Sequence, residues 1–193
     1  MKKVFIDGSA GTTGLRIFDR LHRRTDIQLL TLPESERKLE ASRKKMLNEA
    51  DVVFLCLPDD AACEAALWVE NPDTVVLDTS TAHRTAPGWC YGFPELSPVQ
   101  EARLRQAKRI AVPGCHASGF IALVYPLVSA GLLTPDALLS CYSLTGYSGG
   151  GKKMIAEYES ADRPAHSKLD APKSYGLGLA HKHLPEMKEI SGL

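Results

Sequence analysis

Val4-Phe5-Ile6-Asp7-Gly8-Ser9-Ala10-Gly11-Thr12-Thr13-Gly14-Leu15 carries a short apolar run, a loop punctuated by three glycines and the start of a helical pattern. Leu15, Ile17, Phe18 and Leu21 continue at helical spacing, so the stretch reads as strand, glycine loop, helix. Glycines after a first strand permit a tight turn and close approach of backbone to a pyrophosphate, while the helix that follows offers its free N–H groups. The spacing here is Gly-x-x-Gly-x-x-Gly, not Gly-x-Gly-x-x-Gly, so the context carries more weight than the pattern. Gly8, Gly11 and Gly14 are the expected cofactor-binding glycines, with Thr12 and Thr13 as hydroxyl donors.

Working outward, further apolar strands are expected at 27–32, 52–57, 75–77 and 110–112, with helical or loop segments between them. That alternation implies right-handed crossovers and a parallel sheet covered on both faces. The expected fold class is α/β, a Rossmann-like nucleotide-binding domain over 1–114, followed by the start of an α+β catalytic domain over 115–193. In the second part a long helix gives way to an alternating strand-like run at 138–144, then a second glycine cluster and a polar, proline-punctuated stretch. Beyond the second strand come Pro33-Glu34-Ser35-Glu36-Arg37. Ser35 and Arg37 suit a 2′-phosphate, and NADP is the preferred cofactor over NAD despite Glu34 and Glu36.

Composition narrows the functional classes. The chain has 193 residues, 44% of them hydrophobic, with 23 basic and 23 acidic side chains. A zero balance argues against nucleic acid as the main partner, because phosphate neutralisation needs an excess of basic groups. Five cysteines at no paired short spacing suggest neither zinc nor a disulfide framework, and no metal site is expected. A strand begins by Val4 without an apolar leader and no apolar run approaches the ~20 residues that span a bilayer, so a cytoplasmic protein is expected.

One cysteine stands apart. Cys115 lies in Val112-Pro113-Gly114-Cys115-His116-Ala117-Ser118-Gly119-Phe120, where an extended segment turns into a helix. Phe120, Ile121, Val124, Leu127 and Val128 form the apolar stripe of that helix. At a helix N-terminus, unpaired N–H groups and the positive end of the dipole favour an anion, whether sulfur or oxyanion. Pro126 is expected to kink the helix or end it. Cys56, Cys63 and Cys141 are expected to be buried space-fillers.

Taken together, these blocks closely resemble N-acetyl-gamma-glutamyl-phosphate reductase, and its shorter subfamily in particular. The resemblance rests on the glycine loop, on Asp78-Thr79-Ser80-Thr81-Ala82-His83-Arg84, on Tyr91-Gly92-Phe93-Pro94-Glu95-Leu96 and on Pro113-Gly114-Cys115. It extends through Gly146-Tyr147-Ser148-Gly149-Gly150-Gly151-Lys152-Lys153 and His181-Lys182-His183-Leu184-Pro185-Glu186. Their order and spacing are more specific than any block alone.

The resemblance implies an NADPH-dependent reduction of an acyl phosphate to an aldehyde through a cysteine thioester. In that reading Cys115 is the nucleophile and His181 the acid or base, with His116 a rival that the helix points away from the thiol. Arg84, Ser148, Gly149 and Lys152 would hold the substrate's phosphate, and Tyr175, His183 and Glu186 would orient the site or bind substrate. It also implies a homo-oligomer and a longer chain, so 115–193 would be only the start of the catalytic domain. Two competing readings are an aspartate-semialdehyde dehydrogenase or other acyl-phosphate reductase, and a catalytically silent NADP-binding protein.

Overall fold

A computed structural model of the protein describes residues 1–164, 166–174 and 176–193. Six strands form one sheet: β1 (Lys2–Asp7), β2 (Ile27–Leu30), β3 (Val52–Leu55), β4 (Val75–Asp78), β5 (Cys90–Tyr91) and β6 (Arg109–Ala111). They lie in the order β2-β1-β3-β4-β6-β5, and every pairing is parallel. The expected α/β parallel sheet is therefore present. It gains one strand that the sequence did not announce, the two-residue edge strand β5.

The crossovers explain the layers. The chain moves one way across the sheet from β1 through α1 (Thr12–Leu21) to β2, then the other way through α2 (Glu40–Glu49) to β3 and α3 (Asp59–Leu67) to β4. Right-handed connections running in opposite directions place α1 on one face and α2 and α3 on the other. Packing agrees, since Phe5, Val53, Leu55 and Val76 of the sheet share one core cluster with Leu47 of α2 and Ala65 of α3. Val4, Phe5 and Ile6 are all buried, as a strand covered on both faces requires. Each such apolar side chain removed from water contributes about 1.5–3 kcal/mol.

After α4 (Pro98–Gln106) and β6, the chain enters α5 (Cys115–Ser129), then α6 (Gly151–Glu159) and α7 (His183–Ser191). Helix α7 packs along α5, and Ala117, Ile121 and Met187 close a second cluster around Tyr91. Pro126 neither ends nor divides α5. It lies on the exposed side of the helix, as does Ala122, whose carbonyl loses its partner to the missing N–H and can face water instead.

The strand expected at 138–144 is not formed: this segment is irregular and pairs with no strand among the described residues. Alternation sets which side chains share a face, but a strand also needs a ladder partner, and none lies beside it among the described residues. The second glycine cluster, read as loop, makes a turn at Tyr147–Gly150 and runs directly into α6. No helix among the described residues is long and apolar enough to cross a membrane.

Candidate active site

Parallel strands deliver their C-terminal ends to one edge of a sheet, and the loops that follow β1, β4 and β6 all leave from that edge. The loop after β1 begins at Gly8, whose φ of +83° is open to glycine but strained for other residues, and where any Cβ would collide with the Cys56 carbonyl. The Gly11 N–H donates to the Gly8 carbonyl at 2.9 Å, and Gly11 caps α1 without any side chain doing so. The first turn of α1, which holds Thr12, Thr13 and Gly14, thus keeps donors available for an anion. Just before the loop, the buried Asp7 carboxylate is held by Arg43, whose Nη2 lies 2.9 Å from Oδ2. That pairing removes a negative charge that would oppose a pyrophosphate. The residues present therefore fit a dinucleotide.

Ser35 and Arg37 are exposed at the turn Glu34–Glu36 beyond β2. The Arg37 Nε donates to the Leu32 carbonyl at 3.4 Å, while Glu36 is engaged by the Ser42 hydroxyl at 2.8 Å. One of the two acids that opposed a 2′-phosphate is thereby turned toward α2.

At the end of β6, Cys115 is the first residue of α5 and is exposed. Gly114 caps the helix with no side-chain hydrogen bond, so the first-turn N–H groups lie beside the thiol. Cys115 opens onto a cavity of ≈ 780 Å³ between α5 and the segment 139–149, and His116, Ser148 and Gly149 line the same cavity. Lys152 sits one residue into α6 and is exposed, away from that lining.

Of the three cysteines expected to be buried space-fillers, Cys63 and Cys141 differ from expectation. Burial pushes the Cys56 thiol up to about 11, as suits an inert space-filler, but Cys63 and Cys141 are exposed and Cys90 is buried.

Three histidines gather beside Gly114. The His183 ring stands edge-on to His181 with centroids 4.7 Å apart, and 6.1 Å from His116. The His183 backbone N–H donates to His181 Nδ1 at 3.2 Å. His183 is buried, its own Nδ1 has no partner among the described residues, and burial lowers its pKa to about 4. The His116 Nδ1 lies 2.6 Å from the Ser143 hydroxyl, which ties the N-terminus of α5 to the irregular segment. Tyr175, expected to orient the site, lies outside the described residues.

Two residues expected at the substrate, Arg84 and Glu186, are buried and bonded to the protein. The Arg84 guanidinium donates to the Val112 carbonyl (3.0 Å), the Thr79 carbonyl (3.2 Å) and Glu186 Oε2 (2.9 Å). With Nε, Nη1 and Nη2 each engaged and the residue 8% exposed, it braces the turns after β4 and β6. Glu186, 2% exposed, accepts from Arg84, the Tyr91 hydroxyl at 2.7 Å and the Gly114 N–H at 2.8 Å. Its oxygens are already satisfied by the protein. Sequence reasoning missed Tyr91 as their partner, although its block had been singled out; the two-residue strand that fixes it gives too short a signal to read.

Residues 3–104 match the family described as semialdehyde dehydrogenase, NAD binding domain, and residues 115–192 match semialdehyde dehydrogenase, dimerisation domain. The chain belongs to the semialdehyde dehydrogenase family. It is 51% identical over 190 residues to N-acetyl-gamma-glutamyl-phosphate reductase 2 of Pseudomonas putida, covering 98% of this chain and 60% of that protein. It is also 51% identical over 193 residues to N-acetyl-gamma-glutamyl-phosphate reductase of Chelativorans sp., covering 99% and 60%. The chain thus spans about 60% of the length of these relatives. Among solved structures, aspartate semialdehyde dehydrogenase II of Vibrio cholerae superposes with a TM-score of 0.59 at 17% identity, over 99% of this chain and 66% of that one. The Francisella tularensis aspartate semialdehyde dehydrogenase gives 0.57 at 14%, over 82% and 48%. At those identities the likeness speaks for the fold alone.

Proposed function

We propose that this chain carries the nucleotide-binding and thiol-bearing part of an NADP-dependent N-acetyl-gamma-glutamyl-phosphate reductase. The reaction is the reductive dephosphorylation of N-acetyl-L-glutamyl 5-phosphate to N-acetyl-L-glutamate 5-semialdehyde in arginine biosynthesis. The single observation that carries the reading is an exposed cysteine at the uncapped tip of α5, on the same sheet edge as a glycine loop built for a dinucleotide. Identity of 51% to proteins bearing that name supports the choice of substrate. In this reading residues 1–114 form the nucleotide domain and 115–193 begin the catalytic one, in a cytoplasmic homo-oligomer.

The Cys115 Sγ attacks the acyl carbonyl and phosphate leaves, giving a thioester, which accepts hydride more readily than a carboxylate. NADPH, when bound, supplies the hydride that reduces the thioester. The N–H groups of the first turn of α5 hold the oxyanion of each tetrahedral intermediate, a role whose loss typically costs ~100- to 1,000-fold in rate. His181, whose ring packs edge-on against His183, is the group that moves the proton as the thiohemiacetal opens to the aldehyde. His183, held neutral by burial, suits a hydrogen bond better than proton transfer at neutral pH. Ser148 and Gly149 line the cavity into which the phosphate-bearing end fits.

The deciding assay is phosphate-dependent reduction of NADP⁺ with N-acetylglutamate semialdehyde, which should proceed while aspartate semialdehyde does not. Equal rates with both would defeat the substrate assignment, and a Cys115→Ser variant that kept its activity would defeat the mechanism. NADPH binding, followed by fluorescence, separates the cofactor reading from the catalytic one. A silent cofactor-binding protein would bind NADPH yet show no substrate protection of Cys115 against iodoacetamide.

A further inference from the structure

We propose that Glu186 is the positioning residue of the reacting thiol: its carboxylate, delivered by α7, fixes the Gly114 N–H and with it the turn from which Cys115 enters α5. The inference rests on Cys115 being the reacting group and adds how that group is held. Gly114 is pinned through both peptide units that flank its Cα. Its N–H donates to Glu186 Oε1 at 2.8 Å, and its carbonyl accepts from the Ser118 N–H and the Ser118 hydroxyl, both at 2.8 Å. No side chain caps α5, so that carboxylate is what fixes the entry of the chain into the helix.

The packing around Gly114 leaves no room for a looser arrangement. A Cβ there would lie 2.7 Å from His183 Nε2 and 2.8 Å from Glu186 Oε2, and closer still to an Arg84 nitrogen. Arg84 is also what makes a buried carboxylate tolerable beside an anion site. It neutralises Glu186 and at the same time ties the turns after β4 and β6 through the Thr79 and Val112 carbonyls. The Tyr91 hydroxyl, raised in pKa by burial and by Glu186, stays protonated and remains a donor. Thr79, Arg84, Tyr91, Val112 and Gly114 all precede α5, whereas Glu186 comes from the last helix. The presentation of Cys115 is therefore conditional on α7 being docked.

The test uses the intact 193-residue chain and needs no turnover, so it is independent of the substrate assignment. Iodoacetamide alkylation of Cys115 is followed by peptide mass spectrometry, with the exposed Cys63 on α3 as internal reference. Two single variants remove the Glu186 charge alike and leave Arg84 tied to the Thr79 and Val112 carbonyls. Glu186→Gln keeps an acceptor for Gly114, and Glu186→Leu does not. The first should stay within about twofold of the natural chain in the Cys115-to-Cys63 rate ratio, and the second should fall by at least about fivefold, the scale of one lost hydrogen bond. Equal ratios in the two would overturn the proposal and leave Glu186 a packing residue. Should the leucine variant not fold, Glu186→Asp decides. It keeps the charge but withdraws the carboxylate by one methylene, so it should slow Cys115 with the circular dichroism unchanged; an unaltered ratio would again reject the idea.

Discussion

His183 sits against Arg84, Glu186, His181 and His116, and its pKa of about 4 comes first from burial, then from the Arg84 charge, with Glu186 opposing and the two other histidines adding to the fall. An unfolded histidine titrates near 6.5. Above that value both states are neutral and the residue adds no pH dependence. Between 6.5 and about 4 the unfolded chain takes up a proton that the folded ring refuses, so stability falls as the pH drops through this window and the loss is complete below it. Thermal melts at pH 7.5, 6 and 5 should show that decline, and a His183→Gln variant should show less of it. On the proposed reading, cofactor choice turns on Arg37. Arg37→Ala should weaken NADPH binding by about tenfold, the worth of a charge-assisted hydrogen bond, and leave NADH nearly unchanged. Equal weakening of both in a fluorescence titration would place the 2′-phosphate elsewhere. Single residues were unevenly legible in the sequence. Gly8 and Cys115 announce themselves by what surrounds them locally, whereas the inward turn of Arg84 depends on Glu186, 102 residues further on, which no local pattern reports.

Helix α5 shows what periodicity can and cannot deliver at the scale of an element. Its stripe was readable in part: Ile121 and Val124 are buried and Phe120 and Val128 half-buried, but Leu127 is exposed and the buried Ala117 was not in it. The effect of Pro126 was not readable, because whether a proline ends a helix depends on which side it occupies. On the exposed side its ring and missing N–H cost stability without disrupting the core contact. Pro126→Ala should therefore stabilise the chain by ~1–3 kcal/mol, seen as a higher urea midpoint at unchanged m-value. A lower midpoint would mean that the proline is needed to set the direction of the chain after Ser129. The parallel strands β1, β3 and β4 were legible because each is a continuous apolar run. The segment 138–144 shows the reverse case, for its alternation is real but it pairs with no strand among the described residues.

That segment matters most for the molecule as a whole. Leu138, Tyr142 and Leu144, all of one parity, stand exposed, and the outer face of α5 adds Leu123 and Leu127 with Leu132 just beyond it. Exposed apolar surface on this scale, beside a segment that pairs with no strand among the described residues, suits contact with a partner. The family segment that contains it is described as a dimerisation domain, and the chain's zero net charge offers little repulsion between copies. We therefore expect a second copy of this chain to cover the patch. In sedimentation velocity the protein should run as a species heavier than its 21.0 kDa mass, and 0.5 M salt should not disperse it, because apolar contacts are not screened. Leu132→Lys with Leu138→Lys should shift it toward monomer while leaving Cys115 alkylation within about twofold, since neither residue lines the cavity onto which Cys115 opens or touches the Glu186 brace. A natural chain that sediments as a monomer at every concentration would refute self-association through this patch, and a double variant that stays associated would place the contact elsewhere on the molecule.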